Sequence, residues 1–315
     1  MATIKAAEGF RAEVDAEALQ DALHALKDEY QKGVSMLINL GTSRSAHQRY
    51  SIVDVHQKVY GTFAPDEIKK KVKGWTGHGL WALYMPAAKR DATWLHEAMV
   101  GLGTDEATIA EIVCTRTSAQ LKVISEGYKQ LYNKDLVGDI EGETSGYLRK
   151  LLAALLTVTR ETGNANRERA SALAQELYDA GEGKWGTDES KFIDILTRES
   201  APMLREVFSS YLTKFHKSII DIIKAEFGGH LQATLIVLVR GILDPTHYFA
   251  DRISQAVEGL GTDEAALIRC IIARADIDLE RIKTAFAAKY KKELAIRVNE
   301  DIGGDFQELF HAVIR

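Results

Sequence analysis

The chain has 315 residues, 46% hydrophobic and 27% charged, a globular composition with more sequence than one small core usually organises. Its 40 Lys and Arg against 45 Asp and Glu leave a net charge of −5. That argues against a nucleic-acid binder, and against adhesion to an acidic membrane without a bridging cation. Two cysteines, Cys114 and Cys270, make no disulfide framework. The longest apolar runs, such as 151–156 and 235–239, fall far short of the roughly 18 residues that span a bilayer. The first fifteen residues lack the apolar stretch of a secretory signal, so a cytoplasmic protein is expected.

After a short head, residues 1–14, the chain reads as four related units. The first, 15–86, keeps an Arg turn (42-TSRSAHQRY-50) and a later Gly-containing turn (74-GWTGHGLWALY-84). The second, 87–159, opens on 101-GLGTDEATI-109 and passes through an Arg116 turn. Leu121, Ile124, Tyr128 and Leu131 then form one helical stripe, followed by the acidic turn 141-EGETSGYLRKLL-152. The polar segment 160–169 reads as a linker that divides the chain into halves. The third unit, 170–245, carries 183-GKWGTDESKF-192, an Arg198 turn and 224-KAEFGGHLQATL-235. The fourth, 246–315, carries 259-GLGTDEAAL-267, an Arg274 turn and 300-EDIGGDFQELF-310. Their threonines, Thr104, Thr187 and Thr262, are spaced by 83 and 75 residues. No run alternates as a strand would, and only four prolines interrupt the chain. The expectation is an all-α fold of four repeats with about five helices each.

A Gly-rich loop before Thr-Asp-Glu makes a good helix start: the Thr oxygen caps free N–H groups and the acids face the helix dipole. Capping alone does not explain a second regularity. Forty residues separate Gly103 from Glu143, Gly186 from Glu226, and Gly261 from Asp301. Calcium accounts for the pairing, because it accepts about 6–8 hard oxygens, backbone carbonyls among them. A glycine loop can aim several carbonyls at one point, and a carboxylate from a distant turn can close the site. One carboxylate leaves the ion undercompensated, so a lipid phosphate would strengthen the site and join an acidic protein to an acidic surface.

With loop, Arg turn and closing acid recurring together from about Asp15 onward, the sequence resembles the annexin family. The resemblance implies four all-α annexin-like repeats arranged as a curved disk that binds phosphatidylserine-type membranes reversibly in calcium. It implies loop carbonyls from Met99, Gly101 and Gly103 with the Glu143 carboxylate in repeat 2. In repeat 3 it implies Gly181, Lys184 and Gly186 with Glu226, and in repeat 4 Val257, Gly259 and Gly261 with Asp301. Secondary calcium sites would pair Thr104 with Glu106, Thr187 with Glu189 and Thr262 with Glu264. Trp185 would swing outward when calcium binds. Repeat 1 departs from the pattern: 29-EYQKGVSML-37 has no such loop, and Gly74 replaces the closing acid. No calcium site is expected there. Trp94 stands where the family often has an acid lining a central pore, which weakens a channel reading.

No catalytic residue is expected, because no nucleophile elbow, dinucleotide fingerprint, P-loop or H-E-x-x-H occurs. Arg44, Arg116, Arg198 and Arg274 are expected to cap helix ends and tie repeats together. The cysteines are expected to be buried rather than reactive. The competing function is a scaffold for a protein partner, for instance cytoskeletal, with calcium secondary. Lateral self-association on membranes, and exposure outside the cell by an unconventional route, are compatible with the family.

Overall fold

The apolar periods become twenty α-helices and one 3-10 turn among the described residues. Those residues are 1–183, 186–259 and 261–315 of this computed structural model, and no strand occurs among them. The first five helices are α1 (Ala12–Asp28), α2 (Tyr30–Thr42), α3 (Ala46–Tyr60), α4 (Ala64–Lys71) and α5 (Gly74–Tyr84). The second five are α6 (Ala87–Met99), α7 (Glu106–Thr115), α8 (Ser118–Tyr132), α9 (Leu136–Glu143) and α10 (Gly146–Thr157). The third five are α11 (Arg167–Ala180), α12 (Glu189–Arg198), α13 (Ala201–Phe215), α14 (Ile219–Glu226) and α15 (Gly229–Leu243). The last are α16 (Pro245–Ala256), α17 (Glu264–Ile271), the 3-10 turn Ile272–Arg274, α18 (Leu279–Tyr290), α19 (Leu294–Asn299) and α20 (Gly304–Ile314).

The same local chemistry starts and stops corresponding helices. Ser45, Thr117 and Ser200 each accept the N–H three residues ahead, at the starts of α3, α8 and α13. The fifth helix of every repeat begins on a left-handed glycine: Gly74, Gly146, Gly229 and Gly304 have φ between 56° and 60°. Only glycine takes that conformation without strain, so these four positions fix a common register.

The helices gather into two compact units, one from residues 1–87 with 246–315 and one from 88–245. Repeat 1 therefore packs with repeat 4, and repeat 2 with repeat 3. The segment 160–169 does not divide the chain, because it lies inside the second unit. Its polar groups anchor it there: Arg160 donates to the Glu199 carbonyl at 2.9 Å, and the Glu161 N–H to the Arg198 carbonyl at 2.7 Å.

In the first unit the Arg49 guanidinium, with 1% of its residue surface exposed, joins the repeats. It donates to the carbonyls of Leu83 and Gly41 and pairs with Asp276 at 2.5 Å. Gly79 lets α5 approach α20; a Cβ there would lie 2.6 Å from the Leu309 side chain. The head is pinned to both repeats. The Thr3 N–H donates to the Ala275 carbonyl at 2.8 Å, and Ala7 exchanges two 2.9 Å bonds with the Gln48 side chain.

In the second unit α7 packs on α15, with the Cys114 thiol against the Thr234 carbonyl. The arginines of the turns each find an acid close by. Arg44 pairs with Asp15, Arg116 with Asp91, Arg198 with Asp194 and Arg274 with Asp278, each inside its own repeat. No described helix is long and apolar enough to cross a membrane.

Candidate metal centre

Three loops join first to second helices: 100–105, 181–188 and 257–263. Each is cinched by one backbone bond, Asp105 N–H to Ala98 O at 2.8 Å, Asp188 to Ala180 at 2.7 Å, and Asp263 to Ala256 at 2.8 Å. The same aspartates cap the helices, accepting from the N–H of Thr108, Lys191 and Ala266. The expectation that threonine is the cap is thus corrected. The N-cap residue must directly precede the first helical residue, and each threonine stands one position too early.

Released from capping, the threonines reach elsewhere. The Thr104 hydroxyl donates to the Glu143 carboxylate at 3.0 Å, and Thr187 to that of Glu226 at 2.6 Å. Loop and closing turn, 39 residues apart along the chain, therefore meet in both repeats. Gly101, Gly103, Gly186, Gly259 and Gly261 take φ between 81° and 121°, with open space where a Cβ would be. Gly181 differs: its φ is −117°, and it sits close to the Phe192 ring instead. The side chains of Met99 and Val257 are buried, so these positions could offer only backbone oxygen to a loop ligand. Glu143 is exposed and Glu226 half-buried. Glu106, Glu189 and Glu264, the secondary-site acids, are half-buried, and Glu106 lies 3.6 Å from a His230 ring nitrogen. Lys184 and Trp185 lie outside the described residues.

Repeat 4 is built differently. Thr262 donates to the backbone carbonyl of Asp301, at 3.3 Å, and not to its carboxylate. Aspartate is one methylene shorter than glutamate, and here its carboxylate turns to Arg297, 2.7 Å away on α19. A second nitrogen of the same guanidinium donates to the Val257 carbonyl. Sequence reasoning missed Arg297, although it stands four residues before the closing acid, where repeats 2 and 3 have Asp139 and Ile222. It also missed Glu182 of the third loop, held by the Tyr211 hydroxyl at 3.3 Å and by Lys217.

In repeat 1 the loop is gone, since Glu29 alone separates α1 from α2. The glycine register also corrects the assignment of the closing position. Gly74 matches Gly146, Gly229 and Gly304, each three residues after its acid, so the equivalent of Glu143 is Lys71 and not Gly74. Lys71 pairs with Glu67 at 3.0 Å, the charge-reversed counterpart of Arg297 with Asp301.

The annexin family profile matches residues 90–155, 172–238 and 248–313. This chain belongs to the annexin family. It is 37% identical over 314 residues to annexin A13 of Canis lupus familiaris, spanning 99% of this chain and 98% of that protein. Annexin A3 of Homo sapiens is 39% identical over 306 residues, 97% of this chain and 94% of its own. Among solved structures, annexin III superposes with a TM-score of 0.94 at 37% identity, covering 99% of this chain and 96% of that one. A calcium-bound annexin (Sm)1 gives 0.88 at 25% identity, covering 100% and 93%. Annexins as a family bind calcium and, through it, acidic phospholipid. The donors of this annexin suit such an ion: left-handed glycines leave carbonyls uncrowded, and in repeats 2 and 3 a carboxylate stands beside the loop. Among the described residues no three His, Cys, Asp or Glu side chains group as a side-chain metal cluster would. The cysteines are remote from this chemistry; burial pushes the Cys114 thiol up to about 12, and Cys270 is fully buried.

Proposed function

We propose that this annexin binds acidic, phosphatidylserine-type membranes reversibly in calcium, through the loops of repeats 2, 3 and 4, as a binding module and not a catalyst. Repeat 2 would hold the ion with the carbonyls of Met99, Gly101 and Gly103 and the Glu143 carboxylate. Repeat 3 would use Gly181, Lys184 and Gly186 with Glu226, and repeat 4 Val257, Gly259 and Gly261 with Asp301. The threonine-and-glutamate pairs 104/106, 187/189 and 262/264 are weaker candidates. The observation that carries this reading is the threonine-to-carboxylate bridge, because it brings an acid from a distant turn to a loop of uncrowded carbonyls. When bound, calcium supplies the positive charge that links these oxygens to lipid phosphate.

The chain's own residues do the rest. The cinching bond fixes the loop ends, the glycines present carbonyls, and in repeats 2 and 3 the threonine holds the carboxylate close until it is needed. Val100 and Leu102 are exposed on the repeat 2 loop, with 61% and 111% relative exposure, apolar side chains suited to an interface. Sedimentation with phosphatidylserine vesicles tests the proposal. The protein should pellet in calcium and return to solution when a chelator is added; pelleting that ignores calcium would overturn it.

A further inference from the structure

The fourth loop contains its own cation. The Arg297 guanidinium donates both to the Val257 carbonyl and to the Asp301 carboxylate, at 2.7 Å for the latter. Those are the first and last groups of the proposed repeat 4 site. Arg297 is three-quarters covered and the Asp301 side chain equally so, which marks a packed contact and not a loose surface pair. The matching positions in repeats 2 and 3 cannot do this. Asp139 is an anion engaged by the Tyr128 hydroxyl at 2.6 Å, and Ile222 is a buried hydrocarbon.

We infer that Arg297 is a tethered competitor for calcium, holding the repeat 4 loop closed in the calcium-free protein and setting a higher calcium requirement there than in repeats 2 and 3. This rests on the site assignment proposed above. A guanidinium lying against that carbonyl and that carboxylate occupies the space, and supplies the positive charge, that an ion between them would have to replace. The arginine is tethered four residues from Asp301, so its effective concentration is high and independent of dilution. The apparent affinity of a loop that must first release its own arginine falls by the fraction of time the loop is open. A loop open about one-tenth of the time binds roughly tenfold more weakly. Once released, the guanidinium becomes a fixed positive charge beside the loop.

Calorimetric calcium titration of the Glu143→Gln/Glu226→Gln protein, with Glu106, Glu189 and Glu264 also changed to Gln to silence the weaker candidates, reports on the fourth site. In that background Arg297→Gln should raise calcium affinity about tenfold, and Arg297→Lys by a smaller factor, because a lysine keeps the charge but loses the fork. Without calcium the same changes should speed amide hydrogen exchange across 257–263. Tighter binding together with a looser calcium-free loop is the signature of competition; a merely structural arginine would lose both. Lys283→Gln, which removes an equal charge paired with Glu280 on α18 instead of the loop, is the control and should shift affinity less than twofold. Unchanged affinity in both Arg297 variants would overturn the inference. Adding Asp301→Asn separates this from failure of the site itself: if calcium binding in the background protein survives that change, the repeat 4 assignment is wrong instead.

Discussion

The Thr187 hydroxyl donates to the Glu226 carboxylate at 2.6 Å, joining a loop to a turn 39 residues further along the chain. In the calcium-free protein this bond does what the ion would otherwise do, keeping an acid facing backbone carbonyls. Replacing Thr187 by Val removes the hydroxyl at nearly constant volume. One hydrogen bond to a charged group is worth about 1.5–3 kcal/mol, and less at a half-exposed site such as this. A fall in melting temperature of about 2–4 °C is expected by calorimetry. The calcium needed for half-maximal vesicle binding should rise, because the acid is no longer held in place. Unaltered calcium dependence would show the threonine to be structural only.

The closing carboxylates can be neutralised without loss of volume. Glu143→Gln, Glu226→Gln and Asp301→Asn each remove the charge of one proposed site. Glutamine still offers an oxygen to Thr104 or Thr187, so folding stability should change by no more than about 0.5–1 kcal/mol. Each single change should raise the calcium needed for vesicle pelleting, and the triple change should nearly abolish pelleting. A triple variant that sediments at wild-type calcium would refute the assignment.

Much of this is legible in the residues themselves. The loops announce themselves because glycines and a Thr-Asp-Glu helix start are local, and the distant acids stand out because their 40-residue spacing repeats three times. The pairing of repeat 1 with repeat 4 is not legible, since it depends on contacts such as Arg49 with Asp276 that carry no sequence signal. The repeat 1 register is hidden for a related reason. With its loop reduced to Glu29, only the positive φ of Gly74 reveals that Lys71 holds the acid's position. Arg297 is overlooked because an arginine four residues before an aspartate reads as an ordinary helix-surface pair. Only the fold brings the Val257 carbonyl to the same guanidinium.

Lys71→Glu tests how much a site needs besides its acid. The change puts a carboxylate at the closing position, yet α1 runs almost directly into α2, with Glu29 alone between them and no glycine loop to aim carbonyls. It also breaks the ion pair with Glu67 and sets two acids one helical turn apart, costing about 0.2–0.5 kcal/mol. Calcium stoichiometry by calorimetry should stay at the wild-type value. One additional calcium per chain would mean that the carboxylate alone defines a site.

Arg49 should be far less tolerant than any residue of the loops. Its guanidinium is buried against the partly exposed Asp276, and the carbonyls of Leu83, Gly41 and Arg44 accept from it. Arg49→Ala takes the donor from those oxygens and leaves Asp276 with the Ala46 N–H, a loss of about 3 kcal/mol, the low end for a broken buried pair because Asp276 is partly exposed. Denaturant unfolding should show a loss of this size, while the calcium dependence of the protein that remains folded is unchanged. A loss below about 1 kcal/mol would mean that water replaces the guanidinium at the junction of repeats 1 and 4.

Leu102 separates calcium binding from membrane contact. Its side chain touches little of the protein, as 111% relative exposure requires, so Leu102→Ser should leave folding intact within about 0.5 kcal/mol. If the second loop meets lipid, the leucine leaves water there, a transfer worth roughly 1–2 kcal/mol for partial burial. Vesicle affinity at fixed calcium should then fall about fivefold to thirtyfold, by the ordinary conversion of 1.4 kcal/mol per factor of ten. Calcium affinity without vesicles should not move, because no side-chain atom of Leu102 is a ligand. Leu102→Trp supplies the complementary signal: its emission should shift to the blue only when calcium and acidic vesicles are both present. Trp75, Trp81 and Trp94 must first be replaced by Phe, with Trp185 retained in the parent for comparison. An indole at position 102 that stays in water while the protein is vesicle-bound would place the contact on other loops, and Leu102→Ser would then have no effect on partitioning.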